Sequence, residues 1–308
     1  MIVTCTMNPA IDLFISTEQL APKKVNRTID NDIQPNGKGV NVSFILKMLG
    51  IDNTATGFIG GFTGEFIKNE LEKKEIATDF VPISEITRIN VFTNVLNEKT
   101  EYKIVNKGPN ILKNSLNELK NKLATLEKND LLVISGSSPQ GIEESDLLEI
   151  AKLVTEKKVR LAIDTSSNIL LDILPLKPYC IKPNDEELMQ LFHLTDLSTD
   201  DIIYYGKELV RLGAQQVIIS LGDKGAYLFN NKEILVGNAP KGKLVNSACA
   251  GDTMLATFIG LQELGKTTEE SLKTAIAAAS STAFTEGLTD FVNVPTLEKE
   301  ITIKRVRG

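Results

Sequence analysis

The chain has 308 residues, of which 42% are hydrophobic and 24% are charged, and its net charge at pH 7 is −6. This length suits one large domain with a sizeable core. The acidic balance argues against a general nucleic-acid binder or an anionic-membrane binder, although a few local cations are enough to hold an anionic small molecule. No secretory signal is recognisable at the start, and no stretch approaches the ~20 apolar residues of a membrane span.

Three cysteines and one histidine limit the possible chemistry. Cys5, Cys180 and Cys249 are far apart, which fits neither a disulfide framework nor a metal site, so we expect a reducing cytoplasm. A Ser-His-Asp hydrolase or a multi-histidine zinc site would have to be built on His193 alone. His193 follows a segment with helical spacing, which favours a structural role at a helix end.

The first polar motifs come early in the chain. Segment 7–12 ends in Asp12, which we expect to close a strand. A Gly-rich loop then leads into a helix expected to run to Leu49. In that loop, Gly37 and Gly39 would let backbone approach a ligand closely. Lys38, between them, can bind a phosphate, and Asn41 can bond hydroxyls. The alternative is a simple turn, and the Walker A spacing is absent.

Two regions, approximately 13–35 and 88–106, contain strands without intervening helices. Residues 89–95 alternate in polarity, 97–99 have the composition of a turn, and 100–105 alternate again, which predicts a hairpin. We interpret both regions as a small β-sheet that stands off the main domain as a lid. The alternative is a hairpin at the edge of the main sheet.

The second half of the chain alternates buried strands with helices. The predicted strands are 131–135, 160–164, 179–182 and 216–220, and the predicted helices include 147–155 and 202–212. Continuous apolar strands separated by helices predict a parallel sheet with helices on both faces. Ligands bind such folds at the carboxyl ends of the strands, where polar clusters occur in this sequence.

Two of these polar clusters follow strands. Lys182-Pro183-Asn184-Asp185-Glu186-Glu187 is typical of a capping box; alternatively, Asn184 and Glu187 lie one helical turn apart near Mg²⁺ and its waters. Residues 220–226 form a turn suited to lining a nucleotide.

The run Ala250-Gly251-Asp252 leads into an apolar, helix-forming segment. Free backbone N–H groups at a helix start form an anion site, and the helix dipole should keep Asp252 ionised. Beside a substrate hydroxyl, such a carboxylate can accept the proton during phosphoryl transfer. An N-cap role is the alternative.

In their order along the chain, these motifs resemble the PfkB group of the ribokinase superfamily over essentially the whole sequence. Within the group, the chain is most similar to 1-phosphofructokinases and tagatose-6-phosphate kinases. The matching segments are Asn8-Pro9-Ala10-Ile11-Asp12, Gly37-Lys38-Gly39-Val40-Asn41-Val42, Gly57-Phe58-Ile59-Gly60-Gly61-Phe62-Thr63-Gly64, Ser135-Gly136-Ser137, Lys182-Pro183-Asn184 with Glu187, Ser220-Leu221-Gly222 and Ala250-Gly251-Asp252.

The resemblance implies a Rossmann-like α/β ribokinase fold over residues 1–308, with a mostly parallel sheet between helices and a β lid that often forms a homodimer contact. It also implies ATP with Mg²⁺ as the phosphoryl donor and a small sugar phosphate as the acceptor, with no nucleic-acid or membrane partner. Asp252 would be the catalytic base, and the amides of Ala250, Gly251 and Asp252 would form the anion hole.

The resemblance assigns the other site residues as well. The implied substrate-binding residues are Asp12, Gly37, Lys38, Gly39, Asn41, Arg88, Lys103 and Ser137, with Lys38 and Arg88 on the sugar phosphate and Lys103, like Arg27, a weaker candidate. The implied nucleotide-binding residues are Lys182, Asn184, Ser220, Gly222, Gly225 and Ser280, with Glu187 near the metal.

Three positions depart from the family pattern. Cys249 replaces the first glycine of Gly-Ala-Gly-Asp, Asn36 replaces the first glycine of Gly-Gly-Lys-Gly, and Thr257 stands where a smaller residue is common. If position 249 needs a positive φ, the β-carbon of a cysteine costs about 1 kcal/mol or more. The lost glycine would then tilt the amides of the anion hole.

The expected reaction is therefore ATP-dependent phosphorylation of a ketohexose phosphate, with fructose 1-phosphate converted to fructose 1,6-bisphosphate. A tagatose-6-phosphate kinase and a catalytically weakened sugar-phosphate sensor are the alternatives. A dinucleotide-dependent oxidoreductase is disfavoured, since no G-x-G-x-x-G follows the first strand.

Overall fold

The computed structural model of the chain describes residues 1–306, so the last two residues of the predicted domain lie outside it. Within that range the strands are β1 (Ile2–Thr6), β2 (Ala10–Thr17), β3 (Asp30–Asn36), β4 (Thr54–Ile59), β5 (Ala77–Thr78), β6 (Val81–Pro82), β7 (Arg88–Val95), β8 (Thr100–Ile104), β9 (Leu131–Ser135), β10 (Arg160–Asp164), β11 (Cys180–Ile181), β12 (Gln216–Ser220), β13 (Ala226–Asn230), β14 (Ile234–Gly237) and β15 (Ile303–Val306).

The α-helices of the same range are α1 (Lys38–Met48), α2 (Gly61–Lys73), α3 (Lys113–Leu123), α4 (Glu144–Glu156), α5 (Leu170–Ile173), α6 (Asp185–Leu191), α7 (Thr199–Leu212), α8 (Ala250–Glu263), α9 (Thr268–Ala283) and α10 (Val294–Leu297). Three short 3₁₀ helices are Leu174–Leu176, Gly222–Lys224 and Glu298–Glu300. None of the helices in residues 1–306 is long and apolar enough to cross a membrane.

The large sheet has the strand order β15-β14-β13-β12-β11-β10-β9-β1-β4-β5, with β6 also paired to β4. From β12 to β5 the neighbouring strands are parallel, whereas β13, β14 and β15 add an antiparallel edge. Successive side chains of a strand point to opposite faces. Leu132 and Ile134 therefore pack with α3 to α7, while Leu131 and Val133 pack with α1 and α8 to α10. The predicted fold class is confirmed.

The small sheet contains four strands in the order β3-β2-β7-β8. Strands β7 and β8 form the predicted antiparallel hairpin, and β2 pairs in parallel with β7. The expectation that Asp12 closes a strand is wrong. It is the third residue of β2, because β1 ends before it and the next strand, β2, belongs to the small sheet. There Asp12 pairs with Gln34 and Asn90.

Polar residues meet where the parallel strands end. Asp164 is the last residue of β10 and pairs with Ser135 at the end of β9, while Lys182 follows β11 directly. Helices α1 and α8 begin near the same edge and pack on each other. His193 follows the end of α6, as expected. The order of strands in the sheet thus brings the polar residues at the strand ends and the starts of α1 and α8 into a single region beside the small sheet.

Candidate active site

Helix α8 begins directly after Cys249, which has φ 65° and ψ −8°. This left-handed conformation favours glycine, so the cysteine adopts it at a conformational cost. The helix nevertheless starts in register, because the amide of Thr253 donates to the carbonyl of Cys249 at 2.9 Å. The three preceding amides, those of Ala250, Gly251 and Asp252, have no acceptor within the helix and remain available to an anion.

Asp252 is 5% exposed, and its Oδ2 accepts a hydrogen bond of 2.8 Å from Asn41 Nδ2. Burial and the charge of Asp164 raise the pKa of Asp252 to about 7, against the opposing effects of Lys38, Asn41 and Lys182. We expected the helix start to keep this carboxylate ionised. Burial outweighs that effect, so neutral and ionised forms are both populated near pH 7. A pKa near the working pH suits a general base.

Asp164 lies at the centre of the charged cluster and is 1% exposed. Its Oδ1 is 3.6 Å from Lys182 Nζ, and its Oδ2 is 3.4 Å from Lys38 Nζ. The Lys182 ammonium also faces helix α8, since a β-carbon added to Gly251 would lie 3.0 Å from Nζ. Lys182 thus lies beside the free amides, and Lys38 contacts the same Asp164 carboxylate. We did not single out Asp164 from the sequence, although its place at the end of a buried strand was a usable signal.

Lys38 points toward carboxylates. Its Nζ lies 3.8 Å from Glu187 Oε1 as well as near Asp164. Burial lowers the pKa of Lys38, but the carboxylates of Asp164, Asp252 and Glu187 outweigh that effect and raise it above its ordinary value. Lys38 is therefore positioned to contact a transferred phosphoryl group as readily as the phosphate of the sugar.

Asp12 is the buried carboxylate of the small sheet. Its Oδ1 accepts a 2.8 Å hydrogen bond from Asn90 Nδ2, and its Oδ2 accepts one from Asn36 Nδ2. Burial raises the pKa of Asp12, while the two amide donors and Arg88 partly offset the increase. Asp12 lines an open cavity of about 290 Å³ together with Asn36, Asn41 and Cys249, a setting suited to accepting sugar hydroxyls.

Arg88 lines a second, wider cavity of about 840 Å³ at the root of the small sheet. Its Nη1 and Nη2 donate to the carbonyls of Asn106 and Asn8 at 2.8 and 2.9 Å. Its Nε is buried and has no hydrogen-bond partner within residues 1–306. The side-chain nitrogen of Asn8 also lies 3.5 Å from Ser137 Oγ. Arg88 and Ser137 therefore both contact Asn8. A guanidinium with a spare donor is suited to a phosphate.

The family described as pfkB family carbohydrate kinase matches residues 3–296. The chain belongs to this family.

Individual relatives agree over nearly the full length. The chain is 50% identical to a D-tagatose-1-phosphate kinase of Bacillus licheniformis, over 98% of this chain and 99% of the relative. It is 38% identical to a 1-phosphofructokinase of Borreliella burgdorferi, over 99% of both chains. Among solved structures, it is similar to phosphofructokinase-2 from Escherichia coli in complex with fructose-6-phosphate. The TM-score is 0.89 and the identity 26%, over 97% of this chain and 98% of that one.

The glycines of the kinase's Gly37-Lys38-Gly39 loop have a packing role. A β-carbon at Gly37, where φ is 131°, would lie 2.7 Å from Thr6 Cγ2, and one at Gly39 would lie 2.4 Å from Thr6 Oγ1. Both distances are shorter than carbon contacts allow. The glycines therefore let α1 pack on the end of β1, which holds Lys38 and Asn41 in place.

The predicted nucleotide residues of the kinase lie along the same edge of the sheet. Asn184 and Glu187 form a reciprocal capping box on α6, and Asn184 forms an isolated bridge with Ser220. Gly222 has open space around its α-carbon, whereas a β-carbon at Gly225 would lie 2.0 Å from the carbonyl of Gly237. Ser280, the last predicted nucleotide residue, is half-buried on α9. Lys103, a predicted substrate-binding residue, is exposed on β8 and ion-paired with Glu101.

Oxygen donors for a metal ion are present beside the lysines. Asp164 Oδ1 is buried without a hydrogen-bond donor in the described chain, and Glu187 Oε1 lies 3.8 Å from the Lys38 Nζ that also contacts Asp164. Within residues 1–306, no three His, Cys, Asp or Glu side chains are grouped as a metal cage. Two carboxylates fit Mg²⁺, which usually retains waters and binds substrate phosphates rather than an all-protein cage.

Proposed function

We propose that this kinase transfers the γ-phosphoryl group of ATP to a hydroxyl of a ketohexose 1-phosphate, converting fructose 1-phosphate to fructose 1,6-bisphosphate. One observation carries the proposal: the buried Asp252 stands beside three free amides and Lys182, and hydrogen bonds through Asn41 and Asn36 connect it to Asp12, the proposed hydroxyl-binding residue. A base, an anion site and a hydroxyl site are thereby within one region.

The reaction follows from that arrangement. Ionised Asp252 accepts the proton of the sugar hydroxyl while the hydroxyl oxygen forms a bond to the γ-phosphorus and the bond to ADP breaks. The amides of Ala250, Gly251 and Asp252, together with Lys182, stabilise the negative charge of the migrating group. Asp12 and Asn41 orient the hydroxyls, which supplies the in-line geometry on which phosphoryl transfer depends.

Asp164 and Glu187 are the residues that would hold Mg²⁺, directly or through waters. Bound there, the ion would neutralise phosphate charge on ATP. Lys38, which lies near both carboxylates, would stay ionised because their charges raise its pKa.

Arg88 would bind the phosphate already on the sugar. Its unpaired buried Nε and the neighbouring Ser137 support this role. We expect Arg88→Ala to raise KM for the sugar phosphate at least tenfold, since it removes a charge-assisted pair. Arg211→Ala, at an exposed arginine of helix α7 that pairs with Glu208, is the matched control and should change KM little. An unchanged KM for Arg88→Ala would exclude the phosphate role.

Tagatose 1-phosphate, the C4 epimer of fructose 1-phosphate, is the second candidate acceptor. The 50% identical relative named D-tagatose-1-phosphate kinase favours it. Tagatose 6-phosphate remains a third acceptor to compare. ADP release measured with these three sugars and fructose 6-phosphate tests the proposal, with Asp252→Asn as the inactive control. Turnover on none would reject the kinase assignment, and tight sugar-phosphate binding without turnover would support a sensor instead.

We further propose that the small sheet acts as a lid and as a homodimer contact. The face of the small sheet opposite Asp12 carries exposed apolar side chains. Among them are Ile33, Tyr102 and Ile104, which are 50%, 44% and 58% exposed. Apolar residues on an open sheet face are typical of an interface. A closed lid would also exclude water, which competes with the sugar as acceptor. We propose a cytoplasmic location, which suits the free thiols of Cys5, Cys180 and Cys249.

A further inference from the structure

The side chain of Asn36 connects the two carboxylates of the site. Its Nδ2 donates to Asp12 Oδ2, and its Oδ1 accepts a 3.0 Å hydrogen bond from Asn41 Nδ2. Asn41 Nδ2 in turn donates to Asp252 Oδ2 at 2.8 Å. Four side chains therefore form a continuous polar chain from the small sheet to the proposed base.

Cys249 contacts the same chain of side chains. Its Sγ lies 3.2 Å from Asn41 Nδ2 and 3.9 Å from Asn36 Nδ2, although Asn36 and Cys249 are 213 positions apart in sequence. Burial raises the pKa of the Cys249 thiol, so it stays neutral and protonated. Asn36 and Cys249 are two of the positions where the sequence has a side chain in place of the glycine of the family pattern. These two departures therefore touch each other and line one cavity with Asp12.

The contacts leave few free hydrogen-bonding directions at the hydroxyl site. Each oxygen of Asp12 already accepts from one asparagine, Asn90 or Asn36, so each has one lone-pair direction left for a sugar. The Asn41 amide has two hydrogens for three nearby acceptors, namely Asn36 Oδ1, Asp252 Oδ2 and Cys249 Sγ. A sugar hydroxyl must match the remaining directions to bind.

We infer that Asn36 and Cys249 together determine which C4 epimer of a ketohexose 1-phosphate the kinase accepts. This inference rests on the proposed function. With the acceptor hydroxyl at Asp252 and the sugar phosphate near Arg88, the hydroxyls between them face Asp12, Asn36 and Cys249. One C4 configuration donates into a free lone-pair direction, whereas the other leaves a buried polar group unpaired against the thiol. Sites that hydrogen-bond a hydroxyl discriminate strongly by this effect.

The experiment compares kcat/KM for fructose 1-phosphate and tagatose 1-phosphate in the wild type, Asn36→Gly, Cys249→Gly and the double variant. We expect the ratio of the two values to move toward one by about tenfold in each single variant. The double variant should change the ratio by less than the product of the single effects, because the two side chains touch. KM for ATP should stay within about twofold. Lys158→Gly, at an exposed residue with φ 63° just before β10, at the opposite end of that strand from Asp164, is the matched glycine control.

Each outcome is decisive. A ratio that stays within about twofold in all three variants overturns the inference, as does a wild type that uses both epimers equally. A wild type that phosphorylates neither sugar rejects the proposed function itself. If the variants lose turnover with both sugars, calorimetric Kd values for the two sugar phosphates, measured in the Asp252→Asn background with and without Asn36→Gly, are judged by the same ratio.

Discussion

Asp252 carries a pH dependence that an exposed aspartate would not. Only its ionised form can accept the hydroxyl proton, and its pKa is raised to about 7 by burial and Asp164. We expect kcat/KM for the sugar phosphate to fall about tenfold per pH unit below that pKa. Initial rates from pH 5 to 9 at saturating ATP measure this fall, which is the acid limb of the pH profile.

Asp164→Asn is the informative companion variant. Removing the charge of Asp164 lowers the pKa of Asp252, so the acid limb should move to lower pH whatever happens to the maximum rate. A limb that stays in place in this variant would show that another group controls it.

Cys249 stores conformational strain at the start of α8. Glycine adopts φ 65° without the steric cost of a β-carbon, so Cys249→Gly should raise the free energy of unfolding by about 1 kcal/mol. If the thiol also misaligns the anion hole, kcat on the preferred sugar should rise. Urea unfolding and steady-state kinetics measure the two effects.

The control for this variant is again Lys158→Gly. It relieves a similar backbone conformation on the surface and should stabilise the protein without changing kcat. An unchanged kcat in Cys249→Gly, with the expected gain in stability, would clear the cysteine of any catalytic handicap.

Helix α6 begins with a capping box formed by Asn184 and Glu187, and Glu187 is also a proposed Mg²⁺ residue. Glu187 Oε2 accepts from the amide of Asn184 at 2.9 Å, and Asn184 Oδ1 accepts from the amide of Glu187 at 2.7 Å. Glutamine also completes a capping box, so Glu187→Gln should change stability by less than about 1 kcal/mol. The lost charge should raise the Mg²⁺ concentration needed for half-maximal rate by at least tenfold.

Helix α9 offers the matched control for that element. Thr267 and Glu270 form the same reciprocal capping box at its start, away from the proposed site. Glu270→Gln should leave the Mg²⁺ dependence unchanged. Equal kinetic effects of the two substitutions would assign Glu187 a purely structural role.

At the scale of the whole molecule, the small sheet should control association. A charge on its outer face, as in Ile104→Asp, would place a carboxylate in the proposed interface and should yield monomers. Light scattering coupled to size exclusion measures the mass. Val292→Asp, at an even more exposed apolar residue outside the small sheet, should keep the wild-type mass. A wild type that is monomeric would exclude the dimer contact.

Local patterns in the sequence were enough to predict the fold class and many of its strands and helices. These patterns depend on neighbours within a few residues, because side-chain direction repeats every two residues in a strand and every 3.6 in a helix. Examples are the buried runs that end at Ser135 and Asp164, the hairpin within residues 88–106, and the helix starts at Asn184 and Ala250. The motif order then predicted the family, which the comparisons confirm. The roles of the individual residues stay predictions.

Only the tertiary structure decided the electrostatics and the shape of the site. The pKa of Asp252 depends on Asp164 and on burial, and Asp164 meets Lys38 across 126 positions of sequence. The contact between Asn36 and Cys249 spans 213 positions, and Asp12 belongs to the small sheet rather than to the end of β1. Such contacts follow from the order of strands in the sheet, which no local periodicity encodes. The sequence by itself therefore determined which groups are available, and the packing of distant segments decided which of them meet.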